Sequence, residues 1–521
     1  MKSDSGKTDS FWTASCDVPL KPALTEDARA NVCIVGAGIA GMTTAYLLAR
    51  EGKSVIVLDD GPIGGGETGR TTAHLVNVLD DRYFELERLH GVKGARLAAE
   101  SHTAAVNRIE QIVTDEDIGC EFERLNGYLF VPPGEDREQL ELELEAAQRA
   151  GIQDVRFVDR APLPGWDTGR CLQFGRQAQF HPLKYLSGLA QCIERDGGKI
   201  YTRSHVEKIE AHENGGVTVQ AGKTVRANAV VVATNTPIND WVTIHTKQAP
   251  YRTYVIGALV ARGSIETALY WDTPDPYHYV RVQALSEKHD LLIVGGEDHK
   301  TGQAHDTEDR FDRLESWARE VFPAIEFVEF RWSGQVMEPV DGLAFIGRNP
   351  GDDNIYIATG DSGNGMTHGT IAGMLITDLI QGRDNAWSHL YDPSRKTLRA
   401  AGEFTRENLN VARQYLDYMT GGDVADVEKI APGHGAVVRR GFQKIAAYCD
   451  EAGEVHEFSA VCPHLGCVVD WNLTEKTWDC PCHGSRFDAM GKVINGPANV
   501  DLSPADDDEP RTPAPVEAIT T

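Results

Sequence analysis

Near the C-terminal end, Cys462-Pro-His464-Leu-Gly-Cys467 and Cys480-Pro-Cys482-His483-Gly-Ser485 put four cysteines and two histidines into two short loops. Thiolates and imidazoles so arranged read as a metal site, for which tetrahedral zinc is one candidate. Zinc would take any four of these ligands and leave two cysteines over, placed where they could cross-link the loops. A different chemistry stands near the other end. There Gly36-Ala-Gly38-Ile-Ala-Gly41 follows the apolar run 31–35, and Asp59 ends a second apolar run eighteen residues past Gly41. Glycines in that pattern allow a tight turn and let backbone approach a pyrophosphate at a helix N-terminus, while the acid accepts from ribose hydroxyls.

These residues need particular elements to position them. Residues 31–35 and 54–58 read as strands buried on both faces, with a helix over 42–50 between them. The loop 64–74, Gly-Gly-Gly-Glu67-Thr68-Gly69-Arg70-Thr71-Thr72-Ala73-His74, has the composition of backbone packed against the same ligand, or of a mobile loop. Residues 80–150 read mostly as helix, with a solvated helix over 135–149. A strand is expected at 127–131, a helix at 183–194, a strand pair at 199–210 and 217–225, and an apolar run ending Ala233-Thr234. Aromatic and polar residues alternate over 245–335, as in an antiparallel sheet with one polar face. Residues 355–369 repeat the order strand, glycine turn, helix. Phe404, Leu409, Ala412, Tyr415, Leu416 and Met419 recur at helical spacing, which predicts core packing or a docking helix. Short strands at 436–438, 444–448 and 455–459 lead into the two metal-binding loops.

The two loops with their spare cysteine pair resemble the Rieske 2Fe-2S domain in its cytochrome bc form, where one iron takes two thiolates and the other two imidazoles. The resemblance implies Cys462 and Cys480 as thiolate ligands, His464 and His483 as imidazole ligands, and a Cys467–Cys482 disulfide. Ser485 matches the family serine that donates to a cluster sulfur. Phe487 departs from the tyrosine of high-potential members, which predicts a lower potential. The remaining motifs, over about 30–395, resemble the D-amino-acid oxidase and glycine oxidase superfamily of FAD enzymes. That likeness implies an α/β FAD-binding domain (Rossmann-like, glutathione-reductase type) with an antiparallel-sheet substrate domain, followed by a small all-β Rieske domain. It implies FAD contacts from Gly36, Gly38, Gly41, Asp59, Arg70, Thr71, Thr72, Val206, Ala233, Gly360, Gly363, Gly365, Met366 and Thr367. Tyr254, Tyr279 and Arg281 are the candidates for the substrate site, as a box for an amine and its carboxylate. His74 receives no role.

Length and composition bound the rest. A chain of 521 residues divides into several domains, and 41% apolar with 25% charged residues is ordinary for a globular protein. A net charge of −27 argues against a nucleic-acid partner. No apolar run is long enough to span a bilayer and the first residues are polar, so the expected location is cytoplasmic. A disulfide would be an exception there. The expected division is an N-terminal arm at 1–28, an oxidoreductase unit at 29–400, a linker helix at 401–422, a Rieske domain at 423–505 and a disordered acidic tail at 506–521. Within the unit, FAD-binding parts at 29–80, 175–240 and 331–400 alternate with substrate parts at 81–174 and 241–330.

Flavin and cluster together suggest oxidation of a C–N bond in a small amine or amino acid. Electrons would then pass singly to an external protein or quinone. The alternatives are a carrier or redox sensor without an organic substrate, and a reductase fed through the cluster. An oxygenase would need a mononuclear site of two histidines and a carboxylate, for which no convincing spacing exists.

Overall fold

A computed structural model of the chain describes residues 5–135, 137–213, 215–239, 244–304, 306–415 and 421–505. The expected tail at 506–521, and Leu416 and Met419, lie outside the described residues. The strand Ala28–Val35 sits inside an eight-stranded sheet, parallel to Val55–Leu58 on one side and Lys223–Val232 on the other. Its last four residues are all buried, as a run of β-branched residues between two parallel neighbours requires. Ile355–Thr359 and Lys199–Tyr201 extend the sheet in parallel on either side.

The turn out of Ala28–Val35 depends on glycine at two points. Gly36 has φ +106, and a Cβ there would lie 2.3 Å from the Ala233 carbonyl oxygen. A Cβ at Gly41 would lie 1.9 Å from the Gly36 carbonyl oxygen. The helix Ile39–Arg50 therefore starts tight against the turn and packs along the helix Gly365–Ile380. Both helices direct their N-terminal ends toward one cavity.

A second, nine-stranded sheet runs from Ile325–Pro339 through Gln248–Ala261, His289–Lys300, Tyr279–Ala284, Leu269–Trp271, Glu123–Leu129 and Cys171–Gln179 to His74–Leu75. Its first four strands are antiparallel neighbours, as the alternation over 245–335 predicts. Ile325–Pro339 and Cys171–Gln179 each run unbroken across an expected division point, at 330 and 174. The expected strand over 199–210 is split. Lys199–Tyr201 belongs to the parallel sheet, whereas Lys208–Ala211 pairs with Val217–Ala221.

Two small antiparallel sheets follow. Three strands (His434–Arg440, Gln443–Cys449, Val455–Ser459) and four (Asp470–Asn472, Thr477–Asp479, Arg486–Asp488, Val493–Asn495) enclose Trp478 and Phe487, both fully buried. The helix Ala401–Gln414 precedes them, and its packing differs from the expected apolar stripe. Leu409 is 65% and Phe404 40% exposed, while Glu407 is buried beside Lys300. Val411 packs on the C-terminal core, and the Tyr415 hydroxyl donates to the Leu465 carbonyl at 2.7 Å. This helix joins the two units by polar contacts as much as by apolar ones.

The N-terminal stretch is built into the fold rather than lying over it. Phe11–Ser15 is a short helix capped by Ser10, with Phe11, Trp12, Val18 and Leu24 buried. No helix among the described residues is long and apolar enough to cross a membrane.

Candidate active site

The elements above enclose a cavity of about 710 Å³. Of the expected cofactor contacts, Gly36, Gly38, Asp59, Arg70, Thr71, Thr72, Val206, Ala233, Gly360, Gly363, Gly365 and Met366 line it. Gly41 and Thr367 do not. Gly41 shapes the turn from behind, and the Thr367 hydroxyl is bonded to His102 Nδ1 at 2.8 Å. Asp59 accepts from the amides of Ala37 and Gly61 at 2.6 and 2.8 Å. Burial and its neighbour Asp60 push its carboxyl up to about 7.

The lining fits a dinucleotide. One wall is backbone that no side chain occupies, at Gly36 and Gly38. The buried Asn235 Nδ2, Thr273 Oγ1 and His74 Nε2 face the cavity without a partner in the protein. Such orphaned groups are satisfied when a polar ligand fills the space. An alanine at Gly38, whose Cβ would meet only the Thr68 hydroxyl at 3.0 Å, is expected to leave the chain folded and purified with less flavin, read as the ratio of absorbance at the flavin band to that at 280 nm.

Two of the three substrate-site candidates are elsewhere. Tyr254 is buried on the sheet face covered by the helix Thr307–Val321, its hydroxyl bonded to His299 Nε2 at 2.9 Å. Arg281 is fully buried and donates to the carbonyls of Thr72, Ala73 and Phe180 at 3.0–3.1 Å, so it orders the Thr71–His74 loop instead of gripping a carboxylate. Tyr279 does line the cavity. Its hydroxyl meets that of Thr253 at 2.5 Å, and Thr253 in turn donates to Asp298.

Around Tyr279 the cavity wall is acidic in a way the sequence reading missed. Asp80, Asp81, Asp298, Glu338 and Asp361 all line it. Tyr277 donates to Asp80 at 2.5 Å, and the single hydroxyl of Ser362 lies 2.8 Å from both Asp81 and Glu338. Burial raises every one of these carboxyls, helped by repulsion from neighbouring acids at all but Asp80: Asp80 and Asp361 go to about 6 and Asp81 and Asp298 to about 7. The pairs Asp80-Asp81 and Glu297-Asp298 were visible as residues, but no spacing in the chain joins them.

In the C-terminal unit, Cys462 and Cys480 are buried free thiols within hydrogen-bond reach of each other. The rings of His464 and His483 stand 5.0 Å apart at 86°. Cys467 and Cys482 form a disulfide with Cα atoms 6.4 Å apart. The sulfurs of Cys467, Cys480 and Cys482 lie together, but two of them are spent in that bond, which leaves two thiols and two imidazoles for a metal centre. Backbone amides of His464 and Leu465 and the hydroxyl of Ser485 donate to Cys462, and amides of Cys482 and His483 to Cys480. Donors aimed at the sulfurs stabilise added negative charge, as a reducible cluster requires. Phe487 is wholly buried in the same core and supplies no such donor. Phe487→Tyr is expected to raise the midpoint potential in a redox titration of the full-length protein.

The imidazole pair faces the rest of the molecule, not solvent. His464 and His483 are 7% and 5% exposed, and His245 of the larger unit packs against both rings at 5.0 and 6.0 Å. Three residues on, Gln248 bonds Thr359 in the cavity wall at 3.1 Å.

A buried charge network fixes this arrangement. Glu475 pairs with Arg70 at 2.9 Å and with Arg252 at 3.7 Å, and all three side chains are fully buried. Arg486 bonds Asp479 at 3.1 Å and approaches Glu67 at 3.7 Å. Thr8 donates to Glu475 through both its amide and its hydroxyl, and Arg486 donates to the Ser5 carbonyl, so the N-terminal stretch is sewn into the same joint. Arg70 lines the cavity, while its guanidinium is engaged here.

Residues 31–379 match the family model for FAD dependent oxidoreductases, and residues 422–505 match the Rieske 2Fe-2S domain. The chain is 32% identical over 493 residues to the Rieske 2Fe-2S iron-sulfur protein YhfW of Bacillus subtilis (strain 168), covering 94% of this chain and 96% of that protein. Gamma-glutamylputrescine oxidoreductase of Escherichia coli (strain K12) is 28% identical over 413 residues, 75% of this chain and 95% of that one. The crystal structure of glycine oxidase from Geobacillus kaustophilus superposes with a TM-score of 0.59 at 18% identity, over 71% of this chain and 99% of that one, which is a likeness of fold.

Proposed function

Because the chain belongs to the FAD-dependent oxidoreductase family and ends in a Rieske 2Fe-2S domain, we propose that it oxidises a C–N bond of a small amine and delivers the electrons singly, through the cluster, to an external acceptor. The observation that carries this reading is the placement of the His464 and His483 rings against His245, with the cavity wall beginning a few residues beyond. We assign Cys462, Cys480, His464 and His483 as the cluster ligands. When bound, FAD accepts a hydride from the carbon that bears the nitrogen, and the cluster carries one electron at a time.

An amine is favoured over an α-amino acid by the charge of the wall. Five carboxyls stand around Tyr277 and Tyr279, while Arg70 and Arg281 are held by protein groups. Arg82 also lines the cavity, and it lies in the field of Asp80 and Asp81. An ammonium is attracted there and a carboxylate repelled. The similarity to gamma-glutamylputrescine oxidoreductase supports the same class.

The chain's own groups then divide the work. The carboxyls bind the ammonium, and Asp298, whose Oδ1 has no partner in the protein, takes the proton that the ammonium must lose before its carbon can release hydride. Tyr279 and Thr253 hold that carboxylate in place. Since burial pushes the Asp298 carboxyl up to about 7, kcat/KM is expected to rise with pH through that value. Asp298→Asn is expected to lower kcat/KM about 100-fold or more and to flatten that limb of the pH profile.

Anaerobic titration with a panel of amines and amino acids tests the function. Bleaching of the flavin band by amines, followed by reduction of the cluster, is the expected result. No bleaching by any member of either class would replace this reading with that of an electron carrier.

A further inference from the structure

The Rieske domain reaches into the flavin cavity. Val493, Ile494, Asn495, Gly496, Ala498 and Asn499, on and just after its last strand Val493–Asn495, line the same space as Gly36 and Asp59. They stand beside Val206, His205 and the Asp59–Asp60 pair, the acids expected to receive the ribose of a dinucleotide. Asn499 Nδ2 donates to the carbonyls of Val206 and Glu207 at 2.9 and 3.0 Å, and His205 bonds both the Asn499 carbonyl and Asp60 at 3.2 Å. On the other side of the segment, Gly496 packs toward Ile238 and the Thr236 carbonyl.

One atom of the segment is left without a partner. The buried Asn495 Nδ2 has none in the protein. An amide nitrogen is a donor only, so what it lacks is an acceptor, and the adenine nitrogens, ribose oxygens and pyrophosphate of FAD are acceptors. Asn499 is already satisfied by Val206 and Glu207, which makes it a tether rather than a ligand group.

We propose that residues 493–499 of the Rieske domain complete the FAD site, with Asn495 donating to the adenosine half of the cofactor and Asn499 holding the segment against the wall at Val206. FAD binding and docking of the Rieske domain are then coupled, and each stabilises the other by the same factor. The dinucleotide enters before the domain seats or when it lifts, and once seated it is covered by the domain that receives its electrons.

The test uses the full-length protein stripped of FAD, with FAD added back and followed by flavin fluorescence. Asn495→Ala is expected to weaken FAD binding about five- to tenfold, the loss of one hydrogen bond, with the cluster's visible and electron paramagnetic resonance spectra unchanged. Asn499→Ala is expected to weaken it as well. In the unsubstituted protein, hydrogen exchange at 493–499 is expected to slow when FAD is added. Unchanged affinity in both variants, or equal exchange at 493–499 with and without FAD, would overturn the proposal; the exchange measurement needs no variant to fold.

Discussion

Glu475→Ala is expected to cost the protein about 3–5 kcal/mol and to separate the Rieske domain from the flavin unit, seen as a large fall in melting temperature and a second unfolding transition. The size comes from what remains behind. Arg70 and Arg252 would both stay buried, with their carboxylate gone and Thr8 and Ser333 deprived of an acceptor. Glu475→Gln is expected to cost less, because it keeps the acceptor oxygen for Thr8 and Ser333. The same pair sets an acid limit. Burial alone would raise the Glu475 carboxyl, yet Arg70, Arg252 and Arg486 hold it down to about 2. A carboxyl whose folded value is depressed contributes stability that is fully present above its ordinary range and lost as pH falls. The joint is therefore expected to weaken between about pH 4.5 and about pH 2, and an intrinsic-fluorescence acid titration in which Glu475→Gln loses that transition would show which group is responsible.

Cys480→Ser is expected to abolish the Rieske spectrum entirely while the flavin still binds and is still reduced by substrate. Cys480 and Cys462 are the two thiols of the cysteine loops that the disulfide leaves free, and a hydroxyl is a poor ligand for iron beside sulfide. The fold should survive, because Cys467–Cys482 and the core around Trp478 still hold the two loops. On the proposed route through the cluster, reduction of a one-electron acceptor protein should then fall by at least about 100-fold. Metal analysis of the parent protein, expected to find two iron atoms and no zinc per chain, completes the test.

The parts of this molecule that were legible in the sequence are those in which neighbours in the chain are also neighbours in space. Gly36, Gly38 and Asp59 belong to one strand–turn–helix–strand unit, and the two cysteine loops lie within one small sheet domain. Both were readable because their spacing is local. The partners of Arg70 and Arg281 were illegible for the opposite reason. A sequence shows that an arginine is near a glycine loop, but only folding shows that Glu475, some four hundred residues on, claims the first, and three carbonyls the second. The acidic wall is similar, since Asp80, Asp298, Glu338 and Asp361 come from four distant loops and strands. Phe404 and Leu409 show the limit of periodicity itself: their helix meets the body of the protein through Glu407, Asn408 and Asn410, and leaves them in solvent.

The covered position of the cluster loops bears on how long their cross-link lasts. Thiol–disulfide exchange needs a thiolate to attack a sulfur directly, and Cys467 and Cys482 are 1% and 2% exposed. A small reductant such as glutathione can therefore act only during excursions that lift the loops from the flavin unit. The half-life of the bond in reductant becomes a clock for those excursions, and bound FAD, by holding the Rieske domain down, should make that clock run slow.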